Sequence, residues 1–448
     1  MMSGYRRGCM RHNKKETMKT ILLVFLVISS IALSYLITTY QPDYEIFTRK
    51  SGQKATEGKN NSALLNFLTP DSIAKTDAGA REEPPVKGSI TKVATVNAVK
   101  DRGKLKEILS VLAKSESTEA RVKSVGAEEL FGNNNKEKLT INYSVTLESS
   151  LVKSLLFSEE NSNVTVEFDT IVLLKEKPDT IYLYKKDDKN YLQITVKEKV
   201  YDSVNAIFNE NKHEYGKYSL NNKFIYVKEK TDNLTIDEYS IEDVNMNKLA
   251  RGIFDKKDNI RVSSNNEMTD GYGILKPQGN RIIYTNPSSE DGKEVDATTA
   301  VTNAINFLEL GYNEDVSYQV TTALEGITIL QQTYKDSIVF SKDGSAEITV
   351  EDNTNGIYRL TSPRRISKAY LSSKTLGTYD IERIEYIINY LYKHVELQSV
   401  DDIVLGYEKS YNKSKNTCSY IPTWYIKYND RYVSFKSLKE AVDKGERL

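Results

Sequence analysis

Cysteine, histidine and tryptophan are scarce in this chain: 2, 3 and 1 of 448 residues. Net charge is missing too. It is +0, from 62 basic and 62 acidic side chains, so no broad basic field exists to hold nucleic acid. His12, His213 and His394 stand in no metal-ligand spacing. His394 falls in the last turn of a predicted helix, where a cation suits the helix dipole. There is no G-x-S-x-G elbow, phosphate loop, glycine-rich dinucleotide turn or H-E-x-x-H motif. The adjacent carboxylates Glu290-Asp291 and Asp401-Asp402 fall in a turn-like loop and ahead of a strand, whereas glycosidase acids come from separate elements. Cys418 reads as a small buried hydrophobe rather than half of a catalytic dyad. The expectation is a non-enzyme with no catalytic residue, no metal and no cofactor.

One long apolar run is present. From Ile21 to Ile37 only Ser29, Ser30, Ser34 and Tyr35 are polar. With its borders the run has about 21 residues, or roughly 31 Å of helix, which matches a hydrocarbon core. A secretory signal has a shorter apolar region, and the best cleavage pattern, Ala32-Leu33-Ser34, lies in mid-run. The run reads as an uncleaved anchor. Arg6, Arg7, Arg11, Lys14, Lys15 and Lys19 precede it against Glu16 alone, which keeps the N-terminus cytoplasmic and sends the bulk of the chain outside. Cys9 and Cys418 then lie on opposite sides of the membrane, which excludes a disulfide framework. Ser30, Ser34 and Thr38 recur every four residues and share one helix face. That stripe suits a transmembrane helix-helix interface; hydroxyls bonding back to their own helix is the plainer alternative.

Beyond the anchor the expected organisation follows composition and periodicity. Residues 1–18 form the cytoplasmic segment, 19–40 the transmembrane helix and 41–60 a polar tether. An N-terminal α/β domain (61–198), a central domain (199–295) and a C-terminal α+β domain (296–448) follow. Leu105, Ile108, Leu109 and Leu112 mark a helix; Leu139, Ile141, Tyr143 and Val145 alternate as a strand, as do Val164, Val166 and Phe168. "TIYLY" and "YLQITV" flank a turn, and Tyr201, Val204 and Phe208 start a helix. Ser240 with Asp243, Asp296 and Asp380 are placed to cap three further helices. Between them "VSYQVTTAL", "GITILQQTY", "SIVFSKDG" and "AEITVEDN" read as strands, and "DIVLGYEKSY" and "TWYIKYNDRYVSF" follow the last helix. The fold class is α+β, with helices packed on antiparallel sheets. A helix followed by a meander occurs at 296–363 and again at 379–448, which suggests a duplicated unit. The 30 tyrosines suit strand positions and also suit protein interfaces.

"YQPDYE" after the anchor, "IIYTNPSSEDG" and the closing "LGYEKSY" and "IPTWYIKY" resemble the YycH (WalH) family. The region from about 296 on, with "LQQTY" and Pro-Thr-Trp, also resembles the related YycI. The resemblance implies three extracytoplasmic α/β domains behind one membrane span and no catalytic site. It implies an accessory regulator that acts with a YycI-like partner on a WalK/YycG-like sensor histidine kinase governing cell-wall metabolism in Gram-positive bacteria. It carries no compact motif of functional residues. A different class of reading is a membrane-anchored extracytoplasmic hydrolase or cell-wall-binding protein, which requires a pocket of converging ionisable groups.

Overall fold

The computed structural model describes residues 67–445, less 80–85, 125–135, 152–165, 186–187, 189, 222, 232, 255–258, 264, 312–316, 378–379 and 430, and less the side chains of 307–311. The expected anchor, its Ser30, Ser34 and Thr38 stripe and the tether lie outside these residues. No helix among the described residues is long and apolar enough to cross a membrane. The described residues all fall within one compact unit.

The first part of the chain runs β1 (Ser72–Thr76), β2 (Ile90–Val99), α1 (Arg102–Ala113), β3 (Ser117–Lys123), β4 (Lys138–Glu148), β5 (Glu167–Leu174), β6 (Lys177–Tyr184), β7 (Tyr191–Val196), α2 (Val200–Asn211), β8 (His213–Leu220) and β9 (Lys223–Val227). These strands make a nine-stranded antiparallel sheet in the order β3-β7-β6-β5-β4-β1-β2-β8-β9. Helix α1 starts where the Asp101 carboxylate accepts the Lys104 N–H at 2.9 Å, and buries the Leu105, Ile108, Leu109 and Leu112 face expected of it. Helix α2 buries Tyr201, Val204 and Phe208. Strand β5 begins only at Glu167, so Val166 precedes it and Val164 is not among the described residues. Its Thr170–Leu174 run is buried on both faces: Ile171 and Leu173 enter the main core, Val172 and Leu174 a small cluster with Tyr182 and Tyr191.

The remainder runs β10 (Thr235–Asp243), α3 (Met246–Ile253), β11 (Arg261–Val262), β12 (Met268–Thr269), β13 (Ile274–Gln278), β14 (Arg281–Thr285), α4 (Ala297–Gly311), β15 (Ser317–Leu324), β16 (Ile327–Tyr334), β17 (Ser337–Phe340), β18 (Glu347–Asn353), β19 (Gly356–Pro363), β20 (Arg365–Thr375), α5 (Ile384–His394), β21 (Val400–Asn412), β22 (Thr417–Tyr428), β23 (Arg431–Ser434) and α6 (Phe435–Asp443). They form a 14-stranded sheet in two groups. One is the meander of β11 to β19. The other is β21, β22, β10 and β20, with β23 beside β22. A parallel pairing of β17 with β21 joins them. Gly406 permits that approach, since a Cβ there would stand 2.6 Å from the Ile338 carbonyl oxygen.

Several local expectations are corrected. Ser240 and Asp243 belong to β10, whose ladders to β20 and β22 outweigh their capping tendency. Asn245 caps α3 instead, accepting the Lys248 N–H at 3.1 Å. Asp380 accepts the Gly377 N–H at 2.6 Å, and α5 follows Arg383 at its N-cap position with no side-chain cap. Asp296 does cap α4, through Thr299 N–H at 2.9 Å. Asp401 and Asp402 lie within β21, not ahead of it. The closing "RYVSF" is a short strand ending at Ser434, which caps the unexpected helix α6 by accepting the Ser437 N–H at 3.1 Å.

The boundaries expected at 198/199 and 295/296 are both bridged by ladders. Strand β8 pairs with β2, β14 pairs with β19, and β10 lies between β22 and β20. The stretch 199–295 is thus shared between two sheets. One hydrophobic cluster runs from α1 and α2 to α4 and β18; another joins Ile90, Tyr218 and Ile225 to Ile384, Leu391, Trp424 and Leu438.

Candidate interaction surface

The second sheet ends in β20, which pairs with β10 on one side. From Lys368 to Thr375 every residue of β20 is exposed, including Tyr370 (57%) and Leu371 (50%). The strand is not flat. Glu238 pairs with Ser372 and Tyr239 with Tyr370, so Leu371 bulges out. A second irregularity follows, where the Ala369 N–H donates to the Ser240 hydroxyl at 3.1 Å. Such bulges discourage indiscriminate edge pairing and re-aim side chains.

Behind Tyr370 stands a cluster of tyrosines. Tyr239 meets Tyr370, Tyr334 and Tyr420 edge-on, with centroids 5.7, 5.9 and 5.6 Å away. Tyr334 stacks on Tyr420 at 4.3 Å and meets Tyr407 edge-on at 5.1 Å. Edge-to-face contacts set the positive rim of one ring against the negative face of the next. The cluster thus runs from exposed Tyr370 to buried Tyr420.

Two charges lie under these rings. Asp237 on β10 is buried, and its carboxylate accepts from Lys335 Nζ at 2.6 Å, Ser373 Oγ at 2.6 Å, Tyr334 OH at 2.7 Å and Thr235 Oγ1 at 3.1 Å. Burial alone would raise its pKa; these donors, Lys335 foremost, outweigh it and hold the group at about 2. Lys409 on β21 is the opposite case. Its buried ammonium donates to Gln332 Oε1 at 3.0 Å and has no carboxylate in ion-pair range among the described residues. Burial lowers its pKa to about 8. Gln332 donates onward to Tyr420 OH at 2.7 Å; that hydroxyl bonds Ser367 Oγ, which lies 3.3 Å from Cys418 Sγ. Cys418 is buried, and burial pushes its thiol up, which disfavours a nucleophilic thiolate.

The residues singled out by sequence do not converge. Among the described residues Cys418 contacts Ser367 and no histidine. His394 closes α5 with its ring 4.5 Å from that of Tyr390, and His213 is an exposed start of β8. Glu290 and Asp291 are exposed, while Asp402 accepts from Tyr432 OH at 2.8 Å. Among the described residues no group of histidine, cysteine and carboxylate side chains is arranged to hold a metal ion. The network missed by sequence is Asp237, Tyr239, Tyr334, Lys409 and Tyr420. One signal was available: Tyr407, Lys409 and Tyr411 alternate onto one face of β21, an odd place for a lysine.

Two family models cover most of the chain: YycH protein, N-terminal domain, over residues 16–213, and YycH protein, C-terminal domain, over residues 222–440. The chain belongs to the YycH family. YycH proteins are regulatory proteins of two-component systems and are not known enzymes. The fold is similar to the crystal structure of YycH from Bacillus subtilis, with a TM-score of 0.62 and 16% identity, over 83% of this chain and 96% of that one. No curated protein matches the chain. The family division near residue 213–222 crosses a hairpin, because β8 and β9 pair with each other in the first sheet.

Proposed function

We propose that this YycH-family chain is a membrane-anchored accessory regulator of a WalK/YycG-like sensor histidine kinase. It is held in the cell membrane by residues 19–40, with residues 67–445 outside, and acts with a YycI-like partner. The observation that carries the reading is the exposed Tyr370–Leu371 stretch of β20, backed by a rigid aromatic cluster. A bulky aromatic and a leucine at an open sheet edge supply contact area at little entropic cost. The test is a photo-crosslinking residue at position 370 in the full chain in cells, with capture identified by mass spectrometry. Capture of a sensor kinase or a YycI-like chain is expected; capture of neither, while a probe elsewhere on the surface does capture one, overturns this face as the contact.

The Ser30, Ser34 and Thr38 stripe is proposed as the second contact. Ser30→Leu with Ser34→Leu is expected to weaken copurification with the kinase at unchanged membrane levels. The effect is modest, because hydrogen bonds between membrane helices average about 0.6 kcal/mol. A matched change on the opposite side of the helix, Ala32→Leu with Leu36→Ile, is the control. Equal behaviour of the two would assign the hydroxyls to local back-bonding.

A further inference from the structure

Asp71 stands directly before β1, the first described strand after the expected anchor. Its N–H donates to the Asn142 carbonyl at 2.8 Å, and its carboxylate accepts from Ser144 N–H and from Gln319 Nε2, the latter at 2.8 Å. Gln319 lies on β15 and accepts a hydrogen bond from Arg102 Nη1 through Oε1. Arg102 is the first residue of α1 and is 8% exposed. Its backbone N–H donates to Asp336 Oδ1 at 2.9 Å. Asp336 and Lys335 are the two turn residues between β16 and β17, with φ of 60° and 44°. Lys335 reaches Asp237, and Asp237 holds Ser373 on the exposed edge, both at 2.6 Å. A continuous series of contacts therefore joins the edge of the second sheet to the start of the first.

Two parts of this series have more than one arrangement open to them. A two-residue hairpin turn with both φ positive favours Asn-Gly; Lys335 occupies that conformation at a strain of about 1–3 kcal/mol. It is tied at one end by Asp237 and at the other by Arg102. Arg102 itself is under-used. Its guanidinium carries a planar fork of donors, yet its buried Nε and Nη2 meet no acceptor among the described residues. The Gln319 amide stands between that fork and the Asp71 carboxylate, its natural bidentate partner.

We propose that Arg102 is a two-position latch. In this structure it grips Gln319; in the second position it grips the Asp71 carboxylate directly. The Lys335-Asp336 turn sets the position, and occupation of the β20 edge moves that turn by drawing Ser373 off Asp237. The proposal rests on reading the β20 edge as the docking face, and it adds the route by which docking there reaches the strand that follows the anchor.

The test is amide hydrogen exchange at residues 72–76 in the purified full chain in detergent micelles. Ser373→Ala, at an exposed site, is expected to speed exchange in β1 about fivefold. In an Arg102→Lys background, which keeps the charge but lacks the fork, the same change is expected to add less than about twofold. Gln319→Leu, which leaves Arg102 the Asp71 carboxylate to grip, is expected to speed β1 exchange to about the same extent, and Ser373→Ala added to it is expected to change little more. The latch is overturned by unchanged β1 exchange in Ser373→Ala, by equal acceleration in the Arg102→Lys background, or by β1 exchange in Gln319→Leu as slow as in the unaltered chain. No partner takes part in this measurement. Its failure leaves the regulatory reading standing, and a failed crosslink from position 370 leaves the latch standing.

Discussion

Glu137 in the first sheet and Asp237 in the second are both carboxylates held at about 2, for different reasons. Glu137 sits at the margin of its sheet, where Lys175 and Lys75 approach at 2.8 and 2.7 Å and Tyr201 OH donates at 2.8 Å. Its low pKa comes chiefly from the two ammonium groups, with little burial to overcome. Asp237 carries a larger burial penalty, which Lys335 and three hydroxyl donors must offset. Around Glu137 the first sheet keeps its ion pairs at the rim, although Lys138 on β4 and Lys217 on β8 are buried within it. The second buries a carboxylate, an ammonium and the amides of Gln331 and Gln332 among tyrosines. A network of that kind specifies geometry at the expense of tolerance, since each member lost leaves another unpaired.

The largest break in this comparison comes from removing strands. Residues 296–448 alone lack β10 and β14, which fill inner positions of the second sheet. The fragment is expected to show no cooperative thermal transition by circular dichroism, and a sharp one would show that the sheet closes without them. Asp237→Ala comes next. It leaves the Tyr334, Ser373 and Thr235 hydroxyls without their acceptor beside a half-exposed Lys335, and about 2–3 kcal/mol of loss is expected in urea melts. Glu137→Ala, at the rim, should cost about 1–2 kcal/mol. Equal losses at the two sites would erase the distinction drawn between the sheets.

Acid sharpens the same contrast. Both folded pKa values lie below the unfolded ones, so both contributions are present above about pH 4 and fade as pH falls towards 2. Asp237→Asn is expected to flatten this part of the stability profile more than Glu137→Gln does. Lys409 acts at the other end. Its folded pKa is lowered to about 8 against about 10.4 unfolded, so the unfolded chain holds more protons between them and stability rises with pH there. Lys409→Met should therefore be favoured over wild type most at pH 7, with the gap narrowing from pH 8 to 10. A gap independent of pH would mean that Lys409 pays no burial penalty. The smallest stability effect belongs to Tyr370→Ser, within about 0.5 kcal/mol, although it should abolish crosslinking from neighbouring edge positions.

Periodicity was a good guide wherever an element buries one continuous face. Helix α1, β4, β6, β7 and the run from β15 to β18 follow from the spacing of their apolar residues. It failed where pairing decides. "TIDEYSIED" carries four acidic residues and three hydroxyls, and it is a strand only because β20 and β22 flank it. Strand β20 is almost wholly exposed, so it shows no alternation to read. Capping was ambiguous for a related reason: serine and aspartate at 240, 243 and 380 satisfy other partners nearby.

Length, charge balance, the apolar run, the YycH resemblance and the α+β class are properties of the sequence itself, because composition and local spacing are enough to express them. The tyrosine cluster, the carboxylate beneath it and the Arg102 junction are not. Tyr334 and Ser373 lie 97 and 136 residues from Asp237 along the chain. Each is an ordinary strand residue until sheet pairing brings the three within hydrogen-bonding range. Only the tertiary structure selects which polar groups are buried together, because the penalty for burying each depends on the partner it finds there.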